Sequence, residues 1–416
     1  MNIVRTGAYT AVATAARLLA GLIAIKLVAW FAGPEGVGKL GQFMSLMSLL
    51  AVLAGGGIGA AIVKYVAEYR EDDGKLSRLL SAALWYAFCA SCLMAFVALV
   101  LSRPIATWLL GDPQDAGLIR ILAIAQIGIA LVNYMLAVIN GFMDVRRLAF
   151  IQVAGSAVGI AMMIWLSQWL HLYGALLALV LSQVSWLAIG LPAWWRSAYF
   201  RPAMLRMRFD REMTVRLAMF SMMTLSSALL APLVNIAVRD HLAVHFGWQR
   251  VGYWQAVSKV SDAYLLFLTT AINIYYLPKL ASTHTREALL FELRSAFRYI
   301  MPAVIVLATL VYVLREWVTR LLFTADFESA NFLYGPQLVG DVIKIASFIL
   351  SYIMLAKAMT RLFVISECVF AFTYLVLVYV CTAHYGLVGA MYAFAINYLL
   401  YFAFNVLVAR RYLGAL

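Results

Sequence analysis

Apolar residues run in long blocks along this chain, with little of the alternation that marks a half-buried strand. Twelve stretches are mainly apolar: 8–31, 42–63, 79–101, 117–139, 148–168, 174–194, 215–238, 253–275, 299–314, 335–356, 362–382 and 387–409. About 20 such residues in a helix cross a hydrocarbon layer roughly 30 Å thick. Lipid offers no partner for bare backbone groups, so each block is predicted to be a transmembrane helix. The ninth is short. The second contains Gly55, Gly56, Gly57 and Gly59, which read as a close-packing surface or, alternatively, as a bending point. The segment 1–7 is short and polar, and the first block is too long for the core of a signal peptide, so no cleaved leader is expected.

Composition agrees with this pattern. Of 416 residues 65% are apolar and 12% charged, and a soluble core does not grow large enough to hide so much apolar surface. The fold class expected is an all-α integral membrane protein. The net charge of +13 would suggest nucleic acid in a soluble chain. Here it follows a topological rule. With the N-terminus cytoplasmic, 21 lysines and arginines fall in inside segments, the longest of which carries Arg196, Arg201, Arg206, Arg208, Arg211 and Arg216. Seven fall outside: Lys39, Arg103, Arg120, Arg239, Arg250, Arg315 and Arg320. Cationic loops stay on the cytoplasmic side, so both termini are expected there. The surplus charge then meets anionic headgroups, and no nucleic-acid partner is expected.

The connection 194–216 separates six blocks from six, giving a lobe over 1–199 and another over 200–416. The halves echo each other: Tyr134-Met-Leu-Ala137 resembles Tyr352-Ile-Met-Leu-Ala356, and Gly41 and Tyr65 match Gly252 and Tyr276 at one offset. An even number of spans per half gives both copies one orientation. Parallel repeats are then related by a pseudo-two-fold along the membrane normal.

The remaining charges sit inside the blocks. Arg17, Lys26, Lys259 and Lys344 share that position with Asp262, Asp341 and Glu367. Each would cost roughly 2.5–3.5 kcal/mol facing lipid at mid-helix, so together about 20 kcal/mol. They are expected to face a wet or mutually paired interior, and its cationic bias implies an anionic passenger. Gln255, Lys259 and Asp262 follow i, i+4, i+7 spacing, as do Gln337, Asp341 and Lys344, so each triplet forms one polar stripe. Lys259–Asp262 and Asp341–Lys344 could be internal ion pairs. Arg17 and Lys26 lack an evident acidic counterpart in the sequence of their own spans and are expected to be the leading candidates for gripping an anion. Glu367 could pair with Arg361 or carry a coupling proton.

Pro232 lies inside the seventh block, where it removes a backbone donor, and is the hinge candidate. Trp254 and Tyr264 could stack on sugar rings, whereas Tyr275 and Tyr276 read better as interface anchors. The five histidines, His171, His241, His245, His284 and His384, all read as loop residues, and no metal set is apparent. Cys89, Cys92, Cys368 and Cys381 read as small buried hydrophobes. With no glycine-rich phosphate loop and no extramembrane stretch long enough for an enzyme domain, the chain reads as a transporter without a cofactor.

Several motifs carry a family resemblance. Gly33-Pro-Glu-Gly-Val-Gly38, Val251-Gly-Tyr-Trp-Gln255, Ser261-Asp-Ala-Tyr264, Tyr276-Leu-Pro278, Gln337-Leu-Val-Gly-Asp341 and Ala356-Lys-Ala358 with Arg361 resemble the polysaccharide flippases of the multidrug/oligosaccharidyl-lipid/polysaccharide exporter superfamily. The chain looks closest to O-antigen and enterobacterial-common-antigen (lipid III) flippases. The resemblance implies twelve helices in two six-helix lobes that open alternately to each side of the bacterial inner membrane. It implies an undecaprenyl-diphosphate-linked oligosaccharide as substrate, with the polymerase and chain-length regulator of the same glycan pathway as partners. Arg17, Lys26, Lys259 and Lys344 would then meet the diphosphate or an acidic sugar. Gln255, Trp254, Tyr264 and Gln337 would line the glycan cavity, and Asp262, Asp341 or Glu367 would couple or pair. A lipid II flippase and a drug antiporter of the same superfamily are the alternatives, and a membrane-embedded glycosyltransferase or ligase is a third, which would want larger, carboxylate-bearing external loops. Related lipid II flippases usually carry two further C-terminal helices, and a drug antiporter would want a more acidic cavity.

Overall fold

The computed structural model describes residues 3–272, 276–283 and 285–415; Tyr275 and His284 lie outside them. The described residues form helices and turns, with no strand among them. In order the helices are α1 (Ile3–Ala54), α2 (Gly59–Tyr69), α3 (Asp73–Val100), α4 (Ser102–Leu110), α5 (Ala116–Gly141), α6 (Val145–Trp195), α7 (Arg211–Phe246), α8 (Trp248–Ala271), α9 (Leu277–Ala281), α10 (Arg286–Val313), α11 (Arg315–Leu322), α12 (Tyr334–Ala356), α13 (Thr360–Tyr385) and α14 (Val388–Ala415).

Eight helical segments among the described residues are long and apolar enough to cross a bilayer, and two of these run 48 and 51 residues. A straight helix of that length would reach roughly 70 Å, more than twice the hydrocarbon thickness. Both are bent by a residue outside helical geometry. Gly33 has φ 60° and ψ −160°, and His171 has φ 51° and ψ −127°. These bends lie where the first and second, and the fifth and sixth, apolar blocks were expected to part. Large side chains such as Trp30, Phe96, Trp169 and Phe267 stand exposed on the helix surfaces, as a multi-pass membrane protein requires. α8 falls outside the apolar set because Arg250, Lys259 and Asp262 interrupt it.

The glycine run proves to be a break. α1 stops at Ala54, Gly56 and Gly57 take φ 58° and 68°, and α2 starts at Gly59. Positive φ is the region glycine enters without a Cβ clash. At Gly56 a Cβ would in addition fall 2.2 Å from the Tyr86 ring. Thr224 Oγ1 donates to the Gly57 carbonyl at 2.9 Å, so the break is pinned by α7. Both readings of these glycines hold: the chain breaks here, and at Gly57 a Cβ would fall 2.7 Å from Leu225, so the neighbouring side chains pack closely against it.

Backbone irregularities recur at a constant interval. Gly33 answers to Gly247, Met143 to Ala358, and His171 to Gly386, each pair 214 or 215 residues apart and all with positive φ. The helix pair α3–α4 likewise precedes α10–α11 by 213 residues, counted from Ser102 to Arg315.

The chain divides into two compact units. One comprises Met1–Ala32 and Lys39–Ile236, the other Gly33–Gly38 and Ala237–Leu416. The division falls inside α7, beyond the basic linker that the sequence suggested as a boundary. The first unit packs α2, α3 and α5 around Tyr134, whose hydroxyl donates to Met204 O at 2.7 Å and so ties the linker to the bundle. The second packs α8, α9, α10, α12 and the end of α14 around Leu280, Ile345 and Ile349. The segment Gly33–Gly38 joins this second unit because Gly252 on α8 lets the Pro34 carbonyl approach. A Cβ at Gly252 would stand 1.8 Å from that oxygen.

Candidate functional site

Within the second unit the α12 stripe meets a face of α8 that carries Ser261 and Tyr264, not the predicted stripe of Gln255, Lys259 and Asp262. α8 presents Ser261 and Tyr264 to α12, and their hydroxyls donate to the Asp341 carboxylate at 2.6 and 2.7 Å. Gln337 Nε2 adds a third donor to Asp341 at 3.0 Å and reaches Ser261 Oγ at 3.2 Å. Asp341 is completely buried. A carboxylate without water is tolerable only when donors replace that water, and here three do.

Lys344, one turn further along α12, makes a different contact. Its ammonium stands 5.6–5.9 Å from the ring centroids of Phe348, Phe394 and Tyr398. Asp262 and Asp341 contribute the nearby negative field. The expected Asp341–Lys344 ion pair is thus replaced by a hydroxyl-held carboxylate and an aromatic-held ammonium. The other expected pair forms: Lys259 Nζ meets Asp262 Oδ2 at 3.1 Å, with the carboxylate more than half exposed. Cation–π contacts are worth about 0.5–2 kcal/mol.

Arg239 completes the cluster, and the sequence reading missed it. It was counted as an outside loop residue because the apolar block ends at Val238. Instead α7 continues to Phe246, and Arg239 is 4% exposed. Its Nε donates to Gln255 Oε1 at 2.8 Å and its guanidinium lies 5.4 Å from the Trp254 centroid. Asp262 lies within its electrostatic reach. The available signal was Val238 and Leu242, an i, i+4 apolar pair that carries the helical period past the arginine. Both are fully buried.

Trp254, Gln255 and Gln337, expected to line a glycan cavity, are buried and engaged with protein groups in this conformation. Glu367 on α13 accepts from the Tyr401 hydroxyl at 3.2 Å; its expected pairing with Arg361 is replaced by this contact. Four histidines expected in loops are helical: His171, His241, His245 and His384. His171 sits at the bend of α6, and His384 ends α13. His241 lies in α7 with Nε2 2.8 Å from Thr382 Oγ1. Pro232 lies inside α7, four residues before the unit boundary at Ile236. Cys381 is buried as expected, but Cys89 and Cys368 are exposed.

Arg17 and Lys26 are both exposed on α1. Nine residues at about 100° each put them on opposite sides of a regular helix. The structure brings Arg239, Lys259 and Lys344 into one cluster with Asp262 and Asp341; it does not align Arg17 with Lys26.

Comparison with known proteins adds the decisive observation. Residues 27–331 match the family model described as "Polysaccharide biosynthesis protein". The chain belongs to that family. It is 32% identical to the lipid III flippases of Escherichia coli K12 and Shigella flexneri over 97% of both partners. Solved structures share the fold at lower identity. An inward-facing multidrug-resistance transporter of the multidrug/oligosaccharidyl-lipid/polysaccharide superfamily aligns with TM-score 0.77 at 17% identity, over 95% of this chain and 94% of the other. The lipid II flippase MurJ aligns with TM-score 0.75 at 15% identity, over 95% and 87%.

Proposed function

We propose that this protein is a flippase that carries an undecaprenyl-diphosphate-linked oligosaccharide from the cytoplasmic to the periplasmic leaflet of a bacterial inner membrane. The observation that carries this reading is the set of three embedded cations, Arg239, Lys259 and Lys344, held by polar and aromatic groups on α7, α8 and α12 of a membrane-crossing chain. Full-length similarity to proteins named lipid III flippases makes the enterobacterial-common-antigen precursor the best substrate choice, with an O-antigen unit next. Both termini are cytoplasmic, and twelve crossings form two repeated lobes. A polymerase and chain-length regulator of the same glycan pathway act on what this chain delivers.

A lipid diphosphate cannot shed its water in hydrocarbon without replacement partners. Arg239, Lys259 and Lys344 supply such partners in the second unit. Lys344 gives up ring contacts, not a carboxylate bond, when it takes a phosphate oxygen. On α1 only one of Arg17 and Lys26 can serve the substrate in a given state, because they lie on opposite sides. Gln255, Gln337, Trp254 and Tyr264 bind sugar hydroxyls and faces once their present partners let go. Asp341, Asp262 or Glu367 gives the two states of the cycle different proton or ion affinity, which a driven equilibrium needs. Pro232, beside the unit boundary in α7, serves as the hinge.

The reading is tested by complementation. A strain lacking its lipid III flippase, given this gene, is expected to recover surface enterobacterial common antigen. Alanine at Lys259 or Lys344, and at one of Arg17 and Lys26, is expected to remove that recovery at unchanged protein level. Intact export in all four single variants would rule out the anion-binding assignment.

A further inference from the structure

A second polar cleft opens in the second unit, away from the cluster described above. It lies where the end of α10, the start of α12 and the start of α14 meet, and has a volume of about 480 Å³. Tyr312, Arg315, Asn331, Phe332, Gly335 and Tyr392 line it. Crossing helices terminate here: Val313 is the last residue of α10, Tyr334 the first of α12 and Val388 the first of α14. The cleft therefore sits at the boundary between hydrocarbon and water.

Its chemistry has a cationic floor and aromatic walls. The Arg315 guanidinium lies 4.5 Å from the Tyr312 ring centroid and donates from Nη1 to the Tyr312 carbonyl at 2.8 Å. One of its five N–H groups is committed there, and the contact holds the fork in place. Asn331 accepts from Thr319 Oγ1 through Oδ1 at 3.1 Å, which leaves its amide N–H₂ as a donor. Tyr312, Phe332 and Tyr392 are all exposed. Below the cleft, Val313, Leu310 and Val306 are exposed at helical i, i+4, i+7 spacing and form an apolar track down α10.

A fixed guanidinium and an amide donor above an apolar track match an amphiphile with a phosphate head and a hydrocarbon chain. We infer that this cleft is a lipid-phosphate site: the phosphate binds Arg315 and Asn331, the aromatic rings flank the glycerol or first isoprene region, and the chain follows α10. Two lipids carry that chemistry, a phospholipid of the surrounding leaflet and a polyprenyl phosphate. The inference does not depend on what the chain transports.

Native mass spectrometry of the full-length protein tests it. Protein released from detergent is titrated with dioleoyl phosphatidylglycerol, with dioleoylglycerol as the headless control. The wild type is expected to hold phosphatidylglycerol in preference to dioleoylglycerol. Arg315→Gln is expected to lower the bound fraction at least about fivefold, the loss of one charge-assisted contact. Arg320→Gln, on the same short helix but outside the cleft, is expected to bind as the wild type does. Tyr392→Ala gives an independent reduction should the Arg315 variant fail to fold. Competition by undecaprenyl phosphate at equal concentration would assign the site to the polyprenyl lipid, and its failure to compete would assign it to a leaflet phospholipid. Equal phosphatidylglycerol binding by wild type, Arg315→Gln and Tyr392→Ala, or equal binding of dioleoylglycerol, would overturn the inference.

Discussion

Asp341 sits in the bilayer interior with hydroxyls of Ser261 and Tyr264 and the amide of Gln337 where water would be. Asn at this position keeps the volume but removes one acceptor oxygen and adds two donors among groups that already donate. Asp341→Asn is therefore expected to lower stability by about 1–3 kcal/mol, and to lower transport more than that loss explains. Thermal melting in detergent beside a transport assay separates the two; an unchanged melt with unchanged transport would remove Asp341 from the site. His171 is a different residue-level case. It holds φ 51° and ψ −127° where its counterpart in the second half is Gly386, with φ 62° and ψ −146°. A non-glycine residue there carries roughly 1–3 kcal/mol of strain. His171→Gly is expected to raise stability by about 1 kcal/mol after the added unfolded-state entropy is counted. A lower melting temperature would mean the imidazole contributes more than its backbone costs.

The elements were legible to different degrees. Ten of the twelve apolar blocks can be placed on the eight long apolar segments once the bends at Gly33 and His171 are recognised, because hydropathy registers a crossing whatever its neighbours do. What hydropathy cannot register is a helix that continues after its apolar run ends. That is why Arg239 looked like a loop residue, and why the histidines of α7 did too. The glycine run was ambiguous for a related reason: composition permits both a packing face and a break, and the structure shows both, in the positive φ of Gly56 and Gly57 and in their close approach to Tyr86 and Leu225. Charge–charge contacts were half legible. Spacing found Lys259–Asp262, but the hydroxyls that displaced Lys344 from Asp341 lie on another helix, 77 and 80 residues away in sequence.

An ion-pair clamp at the start of α7 carries the element-scale prediction. Arg78 on α3 meets Asp210 at 2.6 Å and Glu212 at 3.2 Å, and Arg216 meets Glu212 at 3.1 Å and donates to the Tyr69 hydroxyl at 3.0 Å. The bond from Arg78 holds the Asp210 carboxyl below its ordinary value, helped by the Met213 backbone N–H. A depressed folded value means the contribution is complete above the unfolded value, about 3.9, and is lost as pH falls through the folded one. Hydrogen exchange of residues 204–216 is expected to be constant from neutral pH down to about 4, after correction for intrinsic rate, and to speed up below it. Arg78→Gln is expected to remove that dependence. An acid-insensitive profile in the wild type would show that the clamp does not hold this segment.

At the scale of the whole molecule, the cluster of Arg239, Lys259 and Lys344 explains why a chain so apolar keeps charges in its crossing helices. The insertion cost of those charges is met by Asp262, Gln255, Trp254 and the rings of Phe348, Phe394 and Tyr398. Such partners stabilise a resting state, and on the proposed function the three cations are kept for an anionic passenger, since leucine at these positions would carry no desolvation cost. Family membership agrees with this reading, and solved structures at 15–17% identity share the fold.

The most direct test of this account is lipid translocation by the purified protein in proteoliposomes. A fluorescent undecaprenyl-diphosphate glycolipid is placed in the inner leaflet, and its arrival outside is read by a membrane-impermeant quencher. The account expects the wild type to move it well above the protein-free rate, and Lys344→Gln or Arg239→Gln to slow it at least about tenfold, the loss of roughly 1.4 kcal/mol of anion stabilisation, with unchanged melting temperature. Wild-type rates in both variants would contradict it.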